Sequence, residues 1–400
     1  MGVRGLQAYL EGNCSQGCYN INIGKVSSIN KHLRYTCFFY FFVVNDSPSG
    51  PRAFIKPEWW AGLKTVSYVI YCHTMAQPIK TNVGINLFFH LYSRSRERKR
   101  ENWVTRRLEN LKDVEYFFQI IKSHKELINQ YFIPTGLAAF TPAIFKDVLG
   151  CQVHTSLDEC DKTVADYAKK HGAMGILGQD SDYVIYNTAH YYFSINHLNL
   201  ETLDTTVYDR ASMCRFLEIN IDQLPLLSCL IGNDIIHQEH LTLFHKQALK
   251  EAHARGHHSR SNRPPPEILI PKVAGFIKDQ AGPMDQINTQ LPNLAKAVFH
   301  DAMRAGMLEA GLKMYKMDPD SVEEFDPERI DDSSMDILDR VRQRHVNSLL
   351  GRHLYTVMRG EPYESSTTLE DYSGNLPSGV IILQTLRARI YRTLQKSIQG

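Results

Sequence analysis

Between residues 142 and 217, short apolar runs alternate with stretches of helical periodicity, and this alternation limits the chain to few architectures. The runs 150–154, 174–177, 184–186 and 191–194 have the length and the β-branched or aromatic content of strands. The stretches 142–149, 159–170 and 210–217 space their apolar residues as helices do. Strand–helix alternation of this kind predicts an α/β fold with a mostly parallel sheet covered by helices on both faces. Two further apolar runs, 35–44 and 85–89, supply strands upstream, and 25–34 reads as a helix. The run 35–44 is only about half the length of a membrane-spanning helix. Between 94 and 124 a charged amphipathic helix is expected, with Trp103, Val104, Leu108, Leu111, Val114, Phe117, Phe118 and Ile121 at helical spacing.

Composition narrows the class. The 400 residues are 43% hydrophobic and 22% charged, ordinary for a globular chain with a sizeable core. Lys and Arg total 45 against 43 Asp and Glu, so any basic surface has to be local. The eight cysteines are scattered, which argues for reduced thiols rather than a disulfide framework, and the Cys14/Cys18 spacing is not a zinc pair. The first residues lack the apolar core of a signal peptide, so a cytosolic or nuclear location is the expectation, with no membrane partner.

Residues 1–245 are expected to form the α/β domain. A polar, proline-rich linker or loop is expected over 246–267, with Gly256 to Pro266 as its centre, and a mainly helical extension over 268–400. Within the extension, helices are expected at 271–279, 294–309 and 337–358, and a mobile acidic stretch at 318–335. The stretch 376–399 combines a strand-like run at 380–383 with a basic amphipathic helix. His253, His257 and His258 read as solvated rather than as a metal tract.

Four clusters can carry chemistry. Glu159 and Asp161 open a helix, where the helix dipole favours carboxylates. Asp180 and Asp182 follow an apolar strand, at the strand end where parallel sheets place ligands. Asp234 lies in an apolar stretch after Gly232 and Asn233, and the N-terminus itself reads Met1-Gly2-Val3-Arg4-Gly5-Leu6. Acids grouped this way suit a two-metal site in which Mg2+ ions activate water against a phosphodiester. Taken singly, each pair reads more readily as a solvated helix cap than as a metal site, and it is their order and spacing together that favour the site. A shared site requires the acids to converge in one cleft at the C-terminal edge of the sheet.

In their order, these clusters resemble the XPG and flap-endonuclease branch of the PIN-like nucleases. The start matches that family's MG(I/V)xGL opening. Glu159 and Asp161 match its E-x-E pair, Asp180 and Asp182 its D-x-D pair, and Asp234 its last acid. A narrower resemblance is to the constitutive coactivators of PPAR-gamma. It is carried by the runs 1–7, 121–126, 175–178, 224–227 and 232–236, and by 368–371 and 387–391, with 35–84 as its gap. That resemblance implies a nuclear protein acting in transcription beside a nuclear receptor or other transcription factor, with RNA-binding relatives. It implies a PIN-like fold and Mg2+ as the only candidate cofactor.

Three departures from the nuclease pattern bear on activity. Tyr92 falls where the family carries an acid, and a phenol stays protonated at neutral pH. The first acid of the pattern has only Asp46 as a candidate, inside the poorly matching segment. After Asp234, the glycine-rich hairpin that grips duplex backbone is missing: the chain continues His237-Gln238-Glu239-His240.

Arg94, Arg96, Arg98, Lys99, Arg100, Arg106 and Arg107 crowd one segment around Trp103, seven basic residues against two acidic ones. Arginines with an aromatic suit phosphate contact and base stacking on RNA or single-stranded DNA, and a solvated helix face is the plainer alternative. No strict LxxLL helix occurs; 227–231 and 346–350 are near misses. The reading is a nuclear coactivator or scaffold on a catalytically impaired nuclease fold. Its alternative is an active Mg2+-dependent structure-specific nuclease using Glu159, Asp161, Asp180, Asp182 and Asp234.

Overall fold

The computed structural model describes residues 2–25, 36–39, 86–91, isolated positions between 104 and 123, and 143–399 without 149, 158, 200, 257–262, 283–285, 324–334 and 362–378. In chain order its strands are β1 (Cys18–Asn22), β2 (Thr36–Phe39), β3 (Asn86–Leu91), β4 (Gln152–Thr155), β5 (Gly175–Gly178), β6 (Tyr191–Ser194) and β7 (Asp204–Tyr208). Among the described residues there are two compact units. One comprises Met1–Phe39 and Asp161–Val322, the other Asn86–Cys160 and Glu323–Gly400.

The first unit is built on strands in the order β1-β7-β6-β5-β2. β2, β5 and β6 are parallel, with Phe38 opposite Ile176 and Ile176 opposite Tyr192. β7 runs antiparallel to β6, and β1 antiparallel to β7. β5 is buried at every residue, as a central parallel strand must be when both faces are covered. The α/β class expected from the alternation is what the unit has.

Helices follow from local chemistry. Asp209 caps the helix Arg210–Leu217 by accepting from the N–H groups of Ala211 and Ser212. Gln223 reaches back to the Asn220 N–H at 2.9 Å, and Pro225 fits the first turn of the helix Leu224–Ile231. That helix is apolar apart from Ser228, and all its residues but Pro225 are buried. It therefore needs cover all round, which the helices Pro266–Gln280 and Ala305–Met314 provide. Gly311 permits the second contact, because a Cβ there would stand 2.6 Å from Cys229 Sγ.

This packing corrects the expected domain boundary. The helix Gln238–Ala254 runs through the first part of the segment expected as linker. Pro266–Gln280 packs on both Leu224–Ile231 and the N-terminal helix Leu6–Asn13, so the helices up to Val322 belong with the sheet instead of forming an extension. The expected helix start at Pro271 is inside that helix, whose first turn holds Pro266.

In the second unit β3 and β4 pair in parallel, with Phe89 opposite Val153. A small core of Val341, Tyr355 and Met358 takes Leu157, Ile337, Leu350 and Leu394 against it. Thr155 and Ser348 hydroxyls meet at 2.7 Å, and Lys146 Nζ donates to the Asn347 carbonyl at 3.1 Å. The expected helix 337–358 is two helices, Ile337–Val346 and Arg352–Met358. The run 380–383, expected as a strand, begins in the helical turn Gly379–Ile382, which leads into the helix Gln384–Gln399. No helix among the described residues is long and apolar enough to cross a membrane.

Candidate functional site

The first unit brings several of the acids together just beyond the C-terminal end of β5. Asp180 and Asp182 flank Ser181 there, and all three are buried. Asp180 Oδ1 accepts from the Asp182 N–H at 3.0 Å, which closes the turn into the short helix Asp182–Ile185. Val184 and Ile185 of that helix were expected as part of a strand over 184–186. After Asp182 it is a short run of large side chains buried throughout, and periodicity alone does not distinguish a strand from a helix at that length.

The N-terminal segment packs directly on this turn. Ser181 Oγ donates to the Val3 carbonyl at 3.1 Å. Gly2 sits at φ +45, and any Cβ there would collide with Asp180 Oδ1 and Ser181 Oγ. The glycine of the opening motif is therefore required twice, by its backbone angle and by the closeness of the acids. The next helix fastens to the sheet through polar contacts. Gln7 Nε2 donates to the Tyr192 hydroxyl at 3.0 Å, and the Tyr208 hydroxyl donates to Glu11. Tyr192 and Tyr208 stack with ring centroids 5.1 Å apart. Burial, then the charge of Asp180, pushes the Tyr192 phenol well above its usual range, and Asp161 adds to the shift.

Asp182 is the innermost acid, 1% exposed. Its Oδ1 accepts a hydrogen bond from the Tyr315 hydroxyl at 2.7 Å. Tyr315 in turn meets Ser228 Oγ at 2.7 Å, and Asn233 Nδ2 donates to Ser228 at 3.3 Å. With Tyr315 donating to the carboxylate, Ser228 donates to Tyr315, so one polarity runs from Asn233 to Asp182. Asn233 Oδ1 also accepts from the N–H groups of Ile235 and Ile236, at 3.0 and 2.8 Å. That tight turn carries Asp234 and leads straight into the helix Gln238–Ala254. Burial, followed by the charges of Asp180 and Asp234, holds the Asp182 carboxyl well above the usual carboxylate range, and the Tyr315 hydrogen bond opposes the shift.

Asp180, Asp182 and Asp234 thus lie in one electrostatic neighbourhood. Asp161 is half-buried in the first turn of the helix Cys160–Lys170 and acts on Tyr192 as Asp180 does. Glu159 is half-buried and falls in the second unit. Asp46 and Tyr92 lie outside the described residues, as do Arg94, Arg96, Arg98, Lys99, Arg100, Arg106 and Arg107. Tyr315 and Ser228 were not singled out from the sequence. Asn233 carried one legible signal, as a polar residue between an apolar helix and an acid.

The donor set does not fit the Mg2+ that the nuclease resemblance implies. A Mg2+ site offers ionised oxygens and room for several waters. Here Asp182 spends one oxygen on a phenol, is closed to solvent, and sits where burial disfavours its charge. Among the described residues, no group of three or more His, Cys, Asp or Glu side chains is placed to hold a metal ion.

A mixed sheet with acids at a strand end and an N-terminal segment packed on them marks an α/β domain with an acidic strand end. Particular relatives sharpen that. Residues 217–319 match the model of the FAM120A-like domain family. The chain is 39% identical over 239 residues to the human constitutive coactivator of peroxisome proliferator-activated receptor gamma, an alignment covering 59% of this chain and 26% of that protein. The mouse protein of that name is 37% identical over 238 residues, covering 59% and 30%. The aligned region therefore spans about a quarter to a third of these relatives' length. Among solved structures, the catalytic core of Rad2 in complex with DNA substrate is 12% identical with a TM-score of 0.42, covering 89% of this chain and 97% of that one. Human GEN1 in complex with Holliday junction DNA is 13% identical with a TM-score of 0.40, covering 78% and 63%. Both TM-scores are below 0.5.

Proposed function

We propose that the chain is part of a transcriptional coactivator or scaffold acting in the nucleus, built on a nuclease-type domain whose catalytic acids have become structural. The single observation that carries the reading is the hydrogen bond from Tyr315 to Asp182. It ties a buried member of the D-x-D pair into the domain's own polar network. The sequence supports the reading from two other sides, with Tyr92 in an acid position and a short turn closed by Asn233 after Asp234. The name of the human and mouse relatives supports a nuclear receptor as partner.

The test is a nuclease assay on flap and single-stranded substrates in Mg2+. The purified chain is expected to cleave neither above the background of its Asp180→Ala variant, since loss of a metal ligand costs orders of magnitude in rate. Mg2+-dependent cleavage abolished by Asp180→Ala would establish the alternative of an active enzyme.

Nucleic-acid binding is a separable part of the proposal, because acids hold metal and arginines hold phosphate. Binding through 94–107 is expected to tolerate sequence and to fall steeply with salt. Changing Arg96, Arg98 and Arg100 together to Glu should weaken single-stranded RNA binding by roughly tenfold or more and flatten the salt slope. Filter binding across a salt series reads both, and unchanged affinity and slope would remove this segment from the account.

A further inference from the structure

The helix Gln384–Gln399 leaves its own core partway along its length. Leu394 packs against Val341, Tyr355 and Met358. The row leading back from it in four-residue steps is open to solvent: Ile390, Leu386 and Ile382 are 44%, 56% and 62% exposed, with Leu383 beside them at 49%. Such a row winds slowly around a helix, so one end can face the unit and the other water. Arg389, Arg392 and Lys396, spaced three and four residues apart, form an exposed basic row along one flank. No Asp or Glu occurs between 372 and 400.

We propose that this face docks into an acidic, helix-receiving groove of the kind that calcium opens in sensor EF-hand proteins, Met-rich inside and rimmed with carboxylates. Charge complementarity selects that occupant. The apolar row is narrow enough for a groove, and its basic flank meets the acidic rim. Helices that lie on a bilayer surface carry Trp and Phe beside Leu on the apolar side, and this row has neither Trp nor Phe. The anchor at Leu394 holds the helix in place, so less ordering is left to binding. The inference is independent of the coactivator reading.

The experiment titrates the full chain with Ca2+-loaded calmodulin as the probe, with and without chelator, beside vesicles containing phosphatidylserine. Saturable binding that chelation reverses is expected. Leu386→Glu with Ile390→Glu should weaken it by roughly tenfold or more, and Arg389→Glu with Arg392→Glu should weaken it in a salt-dependent way. All four side chains are exposed and Leu394 is untouched, so both variants should keep the parent's circular dichroism and unfolding midpoint. Four results would each overturn the proposal: no calcium-dependent binding; binding undiminished in Leu386→Glu/Ile390→Glu; capture by vesicles alone; or self-association removed by that variant without any calmodulin binding.

Discussion

Replacing Arg210 by Met is expected to destabilise the first unit by about 2 kcal/mol, or roughly 6 °C in Tm. Arg210 is 8% exposed, and its guanidinium donates to three backbone carbonyls, those of Tyr186, Thr188 and Ala189. Those carbonyls belong to the turn that carries the chain from the helix Asp182–Ile185 into β6. Methionine fills similar space and takes the donor from the buried Ala189 carbonyl and the half-buried Thr188 carbonyl, while Tyr186 keeps the Thr188 N–H as a donor. An acceptor left unpaired costs more than its hydrogen bond contributes. Removing the buried charge returns part of the loss: burial already pulls the Arg210 pKa down to about 10. Lysine should fall between, since a point charge on a flexible stem cannot span three carbonyls as the planar fork does. Urea unfolding of the three proteins measures this. An Arg210→Met midpoint within error of the parent would show that the turn holds without it.

Tyr315→Phe and Asp182→Asn are expected to move stability in opposite directions. Phenylalanine removes the donor to Asp182 and the partner of Ser228 from a closed site, at a cost of about 2 kcal/mol. Asparagine keeps an acceptor for Tyr315 and carries no charge. The sign follows from linkage. The native carboxyl of Asp182 has its pKa raised, so the folded protein binds that proton more tightly than the unfolded chain. The contribution of this group to stability therefore falls as pH climbs from the ordinary carboxylate range towards the raised native value, and is level above it. Asp182→Asn does not exchange the proton. It should be more stable than the parent at neutral pH, and the gap should close as pH drops into the ordinary carboxylate range. Thermal unfolding of both variants across pH checks this. A parent more stable than Asp182→Asn at pH 7 would mean that the carboxylate is ionised in the native protein and held so by its surroundings.

The sequence carried the outline of this site for a physical reason. Acids that follow a strand end or open a helix are marked by local pattern, so Asp180, Asp182 and Asp161 could be placed before their neighbours were known. Asp234 was marked by its apolar setting. Tyr315 was not legible, because nothing in Lys313-Met314-Tyr315-Lys316 signals a contact with a residue 133 positions away. Val184 and Ile185 were misread because burial on all sides erases periodicity. The helices between 266 and 314 were set apart from the sheet because a polar, proline-rich stretch resembles a boundary. The helix Leu224–Ile231, apolar apart from Ser228, was the contrary signal, since it had to be covered by later parts of the chain.

Calorimetric titration of the purified chain with Mg2+ tests the central claim most directly, because it asks whether the acids still form a metal site without requiring a substrate. The account predicts no saturable heat that the Asp180→Asn variant lacks. Saturable Mg2+ binding at millimolar or lower concentration, lost in Asp180→Asn and kept in Arg389→Glu, would contradict it.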